Sequence, residues 1–184
     1  AVQHCEGPLI VVAGAGSGKT RVITCRIAHL IKEKGLPPES ILAITFTNKA
    51  AGEMKERVRT MLDLRGAHPW VSTFHSFCLR ILRKHISELG FSNDFAVYDA
   101  QDQLTLVKQC MKVAEISSDA FPPKSLLNLI SGFKNDFLMP KDVEQDSMPY
   151  GNQFKAASLY PVYQAALKKN NALDFDDLLV FAVR

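Results

Sequence analysis

The sequence predicts an α/β fold, in which a parallel sheet with flanking helices is followed by an all-helical unit. Short apolar runs alternate with amphipathic stretches through residue 90, which is typical of strands joined by helical crossovers. A glycine-rich turn joins the first apolar run to the first amphipathic stretch. From about residue 91 to residue 172 the apolar spacing is helical throughout and indicates no strand.

The composition is typical of a soluble globular protein, with 47% hydrophobic and 22% charged residues in a chain of 184. This length accommodates one domain with a substantial insertion. No apolar run approaches the roughly 20 residues that cross a bilayer, and no signal peptide is evident. Four scattered cysteines favour reduced thiols over a disulfide framework or a zinc site. We therefore expect a cytoplasmic protein without a membrane partner. The chain as a fragment is expected to be monomeric.

The net charge of +3 conceals an asymmetry between the two halves of the chain. Residues 1–90 carry 13 Lys and Arg against 7 Asp and Glu, whereas residues 91–184 carry 9 against 12. A basic first half can attract either nucleic acid or a nucleotide, and the asymmetry alone does not distinguish them.

The first predicted strand, Leu9–Val12, is apolar and rich in β-branched residues, which indicates a buried parallel strand. The helix that follows is expected from Arg21 to Glu33, and Gly35 is placed to cap it. Its predicted apolar face consists of Val22, Ile23, Ile27, Leu30 and Ile31.

The turn between this strand and helix has the composition of a phosphate-binding loop. Glycines allow positive φ and a close approach of backbone N–H groups to an anion. Lys19 has the charge to reach the β- and γ-phosphates of a nucleoside triphosphate, and the Thr20 hydroxyl suits Mg²⁺. The helix N-terminus adds partial positive charge. The alternative is a glycine-rich turn without a ligand. The candidate residues are Ala13, Gly14, Ala15, Gly16, Ser17, Gly18, Lys19 and Thr20.

A second strand is predicted over Ile41–Phe46, followed by a helix from about Lys49 to Leu64 with Thr47 or Asn48 as its N-cap. Ligands bind at the carboxyl edge of open parallel sheets. Phe46 with the neighbouring hydroxyls and amide suits a single nucleic-acid strand, because an aromatic ring stacks on a base and the polar groups donate to phosphates. The alternative is that Phe46 is a core residue and Thr47 and Asn48 only cap the helix.

A third strand-to-helix junction follows at Val71–Thr73. The next helix is strongly amphipathic, and hydroxyls at its N-terminus can bind a backbone phosphate. His75 is either a phosphate donor or a structural histidine. The predicted apolar face of this helix consists of Phe74, Phe77, Cys78, Ile81, Leu82 and Leu89.

Four helices are expected in the second half. Asp99 is the predicted N-cap of the first, Pro122-Pro123 begin the second with Phe137 still inside it, and Gln153–Lys169 is the third. Asp174 caps the last helix, and residues 141–152 form a loop.

Taken together, these motifs resemble superfamily 1 DNA helicases of the UvrD/Rep/PcrA type across essentially the whole chain. AGAGSGKTR resembles motif I, TFTNKAAGEMKERV motif Ia and STFHSFCLRILR motif Ib, while LDFDDLL resembles the segment after the helical insertion. The resemblance implies a partial RecA-like P-loop NTPase domain over residues 1–90. It also implies a helical insertion subdomain over 91–172 and a return to the first domain over 173–184.

The resemblance also implies the function and the residues that perform it. The whole protein would use ATP and Mg²⁺ to move along single-stranded or partly duplex DNA, in the 3′→5′ direction, in repair or replication. Lys19 would contact the β/γ-phosphates, Thr20 would ligate Mg²⁺, and Arg21 would lie near the adenine. The implied DNA contacts are Phe46, Thr47, Asn48, Thr73 and His75.

The sequence departs from the family pattern in one respect that matters for catalysis. No Asp-Glu pair follows an apolar strand, and Asp99 is better explained as a helix cap. The resemblance implies that the acidic Walker B motif and the arginine finger lie beyond Arg184. Phosphoryl transfer needs several such groups at once, so we expect this chain alone to hydrolyse no ATP at a useful rate. Two alternatives stay open: another P-loop enzyme, such as a nucleotide kinase, and a non-catalytic DNA-binding module.

Overall fold

The structure is a computed structural model that describes residues 1–62, 66–144 and 148–184. The helices are α1 Lys19–Lys32, α2 Asn48–Leu62, α3 Phe74–His85, α4 Ala100–Val113, α5 Pro123–Asn135, α6 Asn152–Lys169 and α7 Phe175–Val183. The strands are β1 Leu42–Thr45, β2 Trp70–Thr73, β3 Ala96–Val97 and β4 Ala172–Leu173. The chain forms two compact units, Ala1–Phe77 and Cys78–Arg184. The predicted division at residues 90 and 172 stays a prediction.

The first unit is built on a parallel pair of strands with helices between them. β1 pairs with β2 in a register that aligns Leu42 with Trp70 and Thr45 with Thr73. Helix α2 connects these two parallel strands, as the alternation of strands and helices in the sequence predicts. The core of this unit draws on α1, β1, α2 and β2, so one apolar cluster fixes all four elements. Its buried members are Ile27, Ala28, Ala43, Ala51, Met54, Val58, Leu62 and Val71.

α1 confirms the predicted first helix, with an end determined by local chemistry. Gly35 has φ +66°, and the N–H of Leu36 donates to the Leu30 carbonyl at 3.1 Å, which closes the last turn. The predicted apolar face is partly wrong, because Ile23 is exposed whereas Ala28 is buried.

The predicted buried strand at Leu9–Val12 is not formed. These residues are outside both sheets, and their exposed fractions are 44, 89, 48 and 92% in chain order. The alternation shows that Leu9 and Val11 share the more covered side. A strand needs a hydrogen-bonded neighbour, and within the described residues β1 is paired with β2 alone. Apolar composition indicates a tendency to be buried, but it does not supply that neighbour.

Burial in the first unit also differs from expectation at two apolar residues. Leu42 belongs to an apolar run that predicts a buried strand, and Met61 to the predicted apolar face of the second helix, but both residues are exposed. Leu42 alternates with buried Ala43, so the face of β1 that bears Leu42 is the less covered one. Phe46, the last residue of the predicted strand, lies beyond β1 and is exposed. Leu64, the predicted end of the second helix, lies outside the described residues.

The second unit is a bundle in which α4, α5 and α6 share one core. The core includes Val107 and Met111 of α4, Leu126 and Ile130 of α5, and Tyr160 of α6. Asp99 is the N-cap of α4 with a capping box to Asp102, which confirms that prediction.

The expectation of an entirely helical segment is corrected by one short parallel pair. Ala96 and Val97 of β3 align with Ala172 and Leu173 of β4. Two-residue strands produce no periodic signal in a sequence, which explains why they were missed. Phe137, expected inside the second helix of this unit, lies outside α5 with φ +58° and is half-exposed.

A buried ionic cluster joins α5 to the start of α7. The ammonium of Lys134 lies 2.6 Å from Asp174 Oδ2 and 2.8 Å from Asp177 Oδ1, and these side chains are 1–2% exposed. The Tyr163 hydroxyl donates to Asp174 at 3.1 Å, and the Gln164 amide donates to Asp177 at 3.2 Å. Each carboxylate also accepts a hydrogen bond from a backbone N–H in the capping box of α7.

The ionisation of this cluster follows from one cation shared by two anions. Burial lowers the pKa of Lys134, but the charges of Asp177 and Asp174 outweigh it and raise the pKa above its ordinary value. Burial raises the pKa of Asp177 to about 6, because the single ammonium compensates only part of the negative charge.

Among the described residues, no helix has both the length and the apolar character to span a membrane.

Candidate phosphate and nucleic-acid site

The glycine-rich turn of the first unit leads directly into α1. Gly16 and Gly18 have φ +75° and +83°, and Gly18 is the N-cap of α1. These are conformations that a Cβ disfavours. Gly14 does not adopt positive φ, so the predicted conformational role applies to two of the three glycines.

The turn is open on its outer side. A Cβ placed on Gly14 or Gly16 would meet no atom within 4 Å, and residues 13–20 are all exposed. The first turn of α1 contains no acidic residue. Its unpaired N–H groups and its positive dipole end therefore face open space without a competing carboxylate.

The Lys19 side chain folds back over the turn. Its ammonium donates to the carbonyls of Ala13 at 3.0 Å and Gly14 at 2.5 Å. The Ser17 hydroxyl donates to the same Gly14 carbonyl at 2.7 Å. These bonds hold the ammonium above the loop backbone, where phosphate oxygens would take the place of the two carbonyls.

Thr20 and Arg21 follow Lys19 in the first turn of α1, and both are exposed. A threonine hydroxyl is an oxygen ligand of the kind that Mg²⁺ prefers, and one or two protein oxygens are typical when phosphates supply the rest. Thr20 therefore fits a magnesium ion held jointly with a phosphate.

A cavity of about 360 Å³ adjoins the Lys19 side of the turn. The volume lies within the range of small-ligand pockets. Lys19 and Arg26 provide its charge, whereas Arg21, the residue expected near adenine, is not part of its lining. The lining residues are Ala1, Leu9, Val11, Lys19, Val22, Ile23 and Arg26.

The second predicted cluster lies at the carboxyl edge of the β1–β2 sheet. Since Thr45 aligns with Thr73, the next residues, Phe46 and Phe74, emerge side by side. Their ring centroids are 6.1 Å apart with planes inclined by 57°. Phe46 is 92% exposed and Phe74 is 48% exposed. Phe46 is therefore a surface ring, contrary to the alternative in which it belongs to the core.

Two helices begin at this edge, and a threonine caps each of them. Thr47 Oγ1 accepts the N–H of Ala50 at 3.1 Å, so Thr47 caps α2 while Asn48 is its first residue. Thr73 Oγ1 accepts the N–H of Ser76 at 3.2 Å and donates to the Ser76 hydroxyl at 2.8 Å. Both helices thus present N-terminal N–H groups at the edge where the two rings lie.

The predicted DNA-contacting residues differ in their surroundings. Phe46, Thr47 and Asn48 are exposed, His75 is half-buried, and Thr73 is buried with its hydroxyl committed to the turn of α3. Sequence reasoning did not include Phe74, because its spacing matched the apolar face of α3. Its position directly after a strand aligned with the one before Phe46 is the signal that could have identified it.

The charge around this edge favours an anionic ligand. Residues 40–52 and 66–87 contain no aspartate or glutamate, and Lys49 lies in the first turn of α2. A polyanion that approaches the edge therefore meets helix N-termini, hydroxyls and a lysine.

Comparison with known proteins gives a consistent result. Residues 1–184 match the family model of the UvrD/REP helicase N-terminal domain. The chain is 45% identical over 183 residues to ATP-dependent DNA helicases PcrA of Staphylococcus aureus and of Staphylococcus epidermidis. In both comparisons the match covers 100% of this chain and 25% of the relative. The chain therefore spans about a quarter of the length of these curated relatives.

Proposed function

The chain belongs to the UvrD/REP helicase N-terminal domain family, and from this premise we propose that it is the ATP-binding, single-stranded-DNA-contacting part of an ATP-dependent DNA helicase. The observation that carries the proposal is the pairing of two features in one unit. An open phosphate loop begins α1, and an exposed aromatic edge with two helix N-termini ends the β1–β2 sheet. A motor on DNA needs both a triphosphate site and a strand contact.

The phosphate site uses the loop from Ala13 to Thr20. The N–H groups of the turn and the first turn of α1 surround the phosphates, and Lys19 exchanges its carbonyl acceptors for β- and γ-phosphate oxygens. The Thr20 hydroxyl holds Mg²⁺, which neutralises phosphate charge when bound. Arg21 lies on the exposed side of α1 for a contact near the adenine.

The DNA contact uses the edge of the β1–β2 sheet. Phe46 offers a stacking surface, while Thr47 and Asn48 at the start of α2 donate to backbone phosphates. His75 contributes a further donor at the start of α3. Buried Thr73 acts by fixing that helix start and not by direct contact.

The whole protein would couple these two sites. Its proposed activity is ATP-driven movement on single-stranded or partly duplex DNA, in the 3′→5′ direction, in repair or replication in the cytoplasm. Residues 1–90 would form the first part of a RecA-like domain and residues 91–172 its insertion. This family membership disfavours a nucleotide kinase.

The nucleotide proposal is tested by displacement of a fluorescent ATP analogue from the chain in the presence of Mg²⁺. We expect Lys19→Ala to weaken binding by about tenfold or more, because hydrogen bonds to charged groups contribute about 1.5–3 kcal/mol. Lys34→Ala, an exposed lysine beyond the far end of α1, is the matched control and should bind normally. Equal binding by Lys19→Ala and Lys34→Ala would refute the assignment of the loop.

The DNA proposal is tested by fluorescence anisotropy with a labelled single-stranded oligonucleotide at several salt concentrations. Affinity should fall steeply with salt, since phosphate contacts release counterions. Phe46→Leu should lower the affinity while leaving the salt slope unchanged, because the ring contacts a base and not a phosphate. If Phe46→Leu reduced the dependence of affinity on salt without lowering the affinity, the stacking role of Phe46 would be contradicted.

A further inference from the structure

Phe74 is the aromatic residue at the sheet edge to which the proposed function assigns no role. It is the first residue of α3, and nearly half of it is exposed at 48%. Its ring contacts that of Phe46, which is itself 92% exposed. The two neighbouring rings form a small exposed apolar patch, and apolar patches with polar surroundings are a feature of binding sites.

The register of the strands makes this pairing a fixed feature. Thr45 and Thr73 are aligned in the ladder, and each is followed by a phenylalanine: Phe46 lies two residues before α2 begins, and Phe74 is the first residue of α3. The backbone at both positions is therefore constrained on one side by the sheet and on the other by a capped helix. That framework fixes where the two side chains leave the backbone, whereas the orientation of each ring depends on its own contacts.

The geometry of the pair limits how it can contact a base. With centroids 6.1 Å apart and planes inclined by 57°, the rings leave no parallel slot between them. A base must stack on the outer face of one ring. The tilted contact then favours one direction of that face, because aromatic pairs prefer edge-to-face and offset arrangements.

We propose that Phe74 is a positioning residue for single-stranded DNA, which holds the Phe46 ring in the orientation that stacks on a nucleobase. The proposal rests on the proposed DNA contact of Phe46. The occupant is a nucleic-acid strand because the same edge presents two helix N-termini and Lys49. The segments around both rings also contain no carboxylate between residues 40 and 52 or between 66 and 87.

The test is a double-mutant cycle of Phe46 and Phe74, in which affinity is measured for strands with and without nucleobases. Wild type, Phe46→Leu, Phe74→Leu and the double variant are titrated with a single-stranded oligonucleotide and with a fully abasic strand of equal length. With the normal strand, Phe74→Leu should weaken binding by about three- to tenfold. The double variant should bind no worse than Phe46→Leu, because Phe74 acts through Phe46. With the abasic strand all four proteins should bind equally.

Two matched variants complete the design. Phe137→Leu removes a phenylalanine of the same 48% exposure from the second unit and should leave both affinities unchanged. Phe74→Tyr keeps the ring and should restore the affinity that Phe74→Leu loses.

Each remaining outcome has a definite meaning. If wild type binds neither strand, the proposed DNA contact fails and Phe74 has no role to play. If Phe46→Leu weakens binding but Phe74→Leu does not, the positioning role is overturned while the DNA contact stands. If Phe74→Leu weakens binding to both strands equally, its effect is structural and the proposal is likewise overturned.

Discussion

Replacing the buried Lys134 tests the ionic cluster that joins α5 to α7. Lys134→Met keeps a long apolar stem but removes the ammonium that lies 2.6 and 2.8 Å from two carboxylates. Both carboxylates then remain buried with only their neutral donors. Removal of one partner from a buried ion pair costs about 3–5 kcal/mol. Because Tyr163 and Gln164 still donate, we expect about 4 kcal/mol, equivalent to a fall in Tm of roughly 15 °C.

The distribution of aromatic residues allows each unit to be followed separately. The single tryptophan, Trp70, lies in the Ala1–Phe77 unit, whereas all four tyrosines lie in the Cys78–Arg184 unit. Lys134→Met should therefore shift the denaturation curve seen by tyrosine near-ultraviolet circular dichroism. The curve seen by tryptophan fluorescence should not move, since the first unit has its own core.

The matched control is Lys112→Met, which removes an exposed lysine from α4 of the same unit. Exposed charges contribute little to stability, so this variant should lose less than about 1 kcal/mol. If Lys134→Met is no less stable than Lys112→Met, the cluster does not hold these helices together and the reasoning is refuted.

Three further predictions concern protonation, capping and catalysis. Burial raises the pKa of Asp177 from 3.8 to about 6, so the folded state binds this proton more tightly than the unfolded state. The contribution of protonated Asp177 to the stability of the folded state is present below pH 3.8 and is lost as the pH rises through 6. Urea titrations at each pH should show that Asp177→Asn removes this fall; an unchanged pH profile would contradict it. Thr47→Ala should lower the free energy of unfolding of the first unit by about 1 kcal/mol, through loss of the α2 cap. In Thr60→Ala the lost hydroxyl bonds only within α2, so its tryptophan-detected stability should fall less. Finally, the chain should release no more phosphate from ATP than Lys19→Ala does, because its sequence contains no Asp-Glu pair. Turnover that depends on Lys19 would overturn this.

Local signals in the sequence predicted the parts of the fold that depend on local chemistry. The ends of α1 to within two residues, the caps at Asp99 and Asp174, and a cap at Thr47 or Asn48 all follow from residues close in the chain. Helix caps are determined within a few residues, so their signals are strong. The parallel pairing of β1 with β2 was predicted from the alternation of strands with helices.

Features that depend on distant residues were missed. Leu9–Val12 has the composition of a strand, but strand formation depends on a neighbour that composition does not specify. Lys134 looks like an ordinary helix lysine, and its burial depends on carboxylates 40 and 43 positions away.

The candidate site likewise contains features that depend on neighbouring residues and features that depend on distant ones. The residues of the glycine-rich loop were assigned from one continuous motif, and their phosphate-binding role stays a prediction. The pairing of Phe46 with Phe74 joins two separate segments, and it became evident only from the register of the two strands.

The most direct test of the central claim is nuclear magnetic resonance of the chain during titration with Mg²⁺ and ATP. We expect saturable shifts of the backbone amides of Gly16, Gly18 and Lys19, because the N–H groups of the loop bind the phosphates. These shifts should disappear in Lys19→Ala. Saturable shifts confined to residues outside the loop, or no shifts at any nucleotide concentration, would contradict that claim.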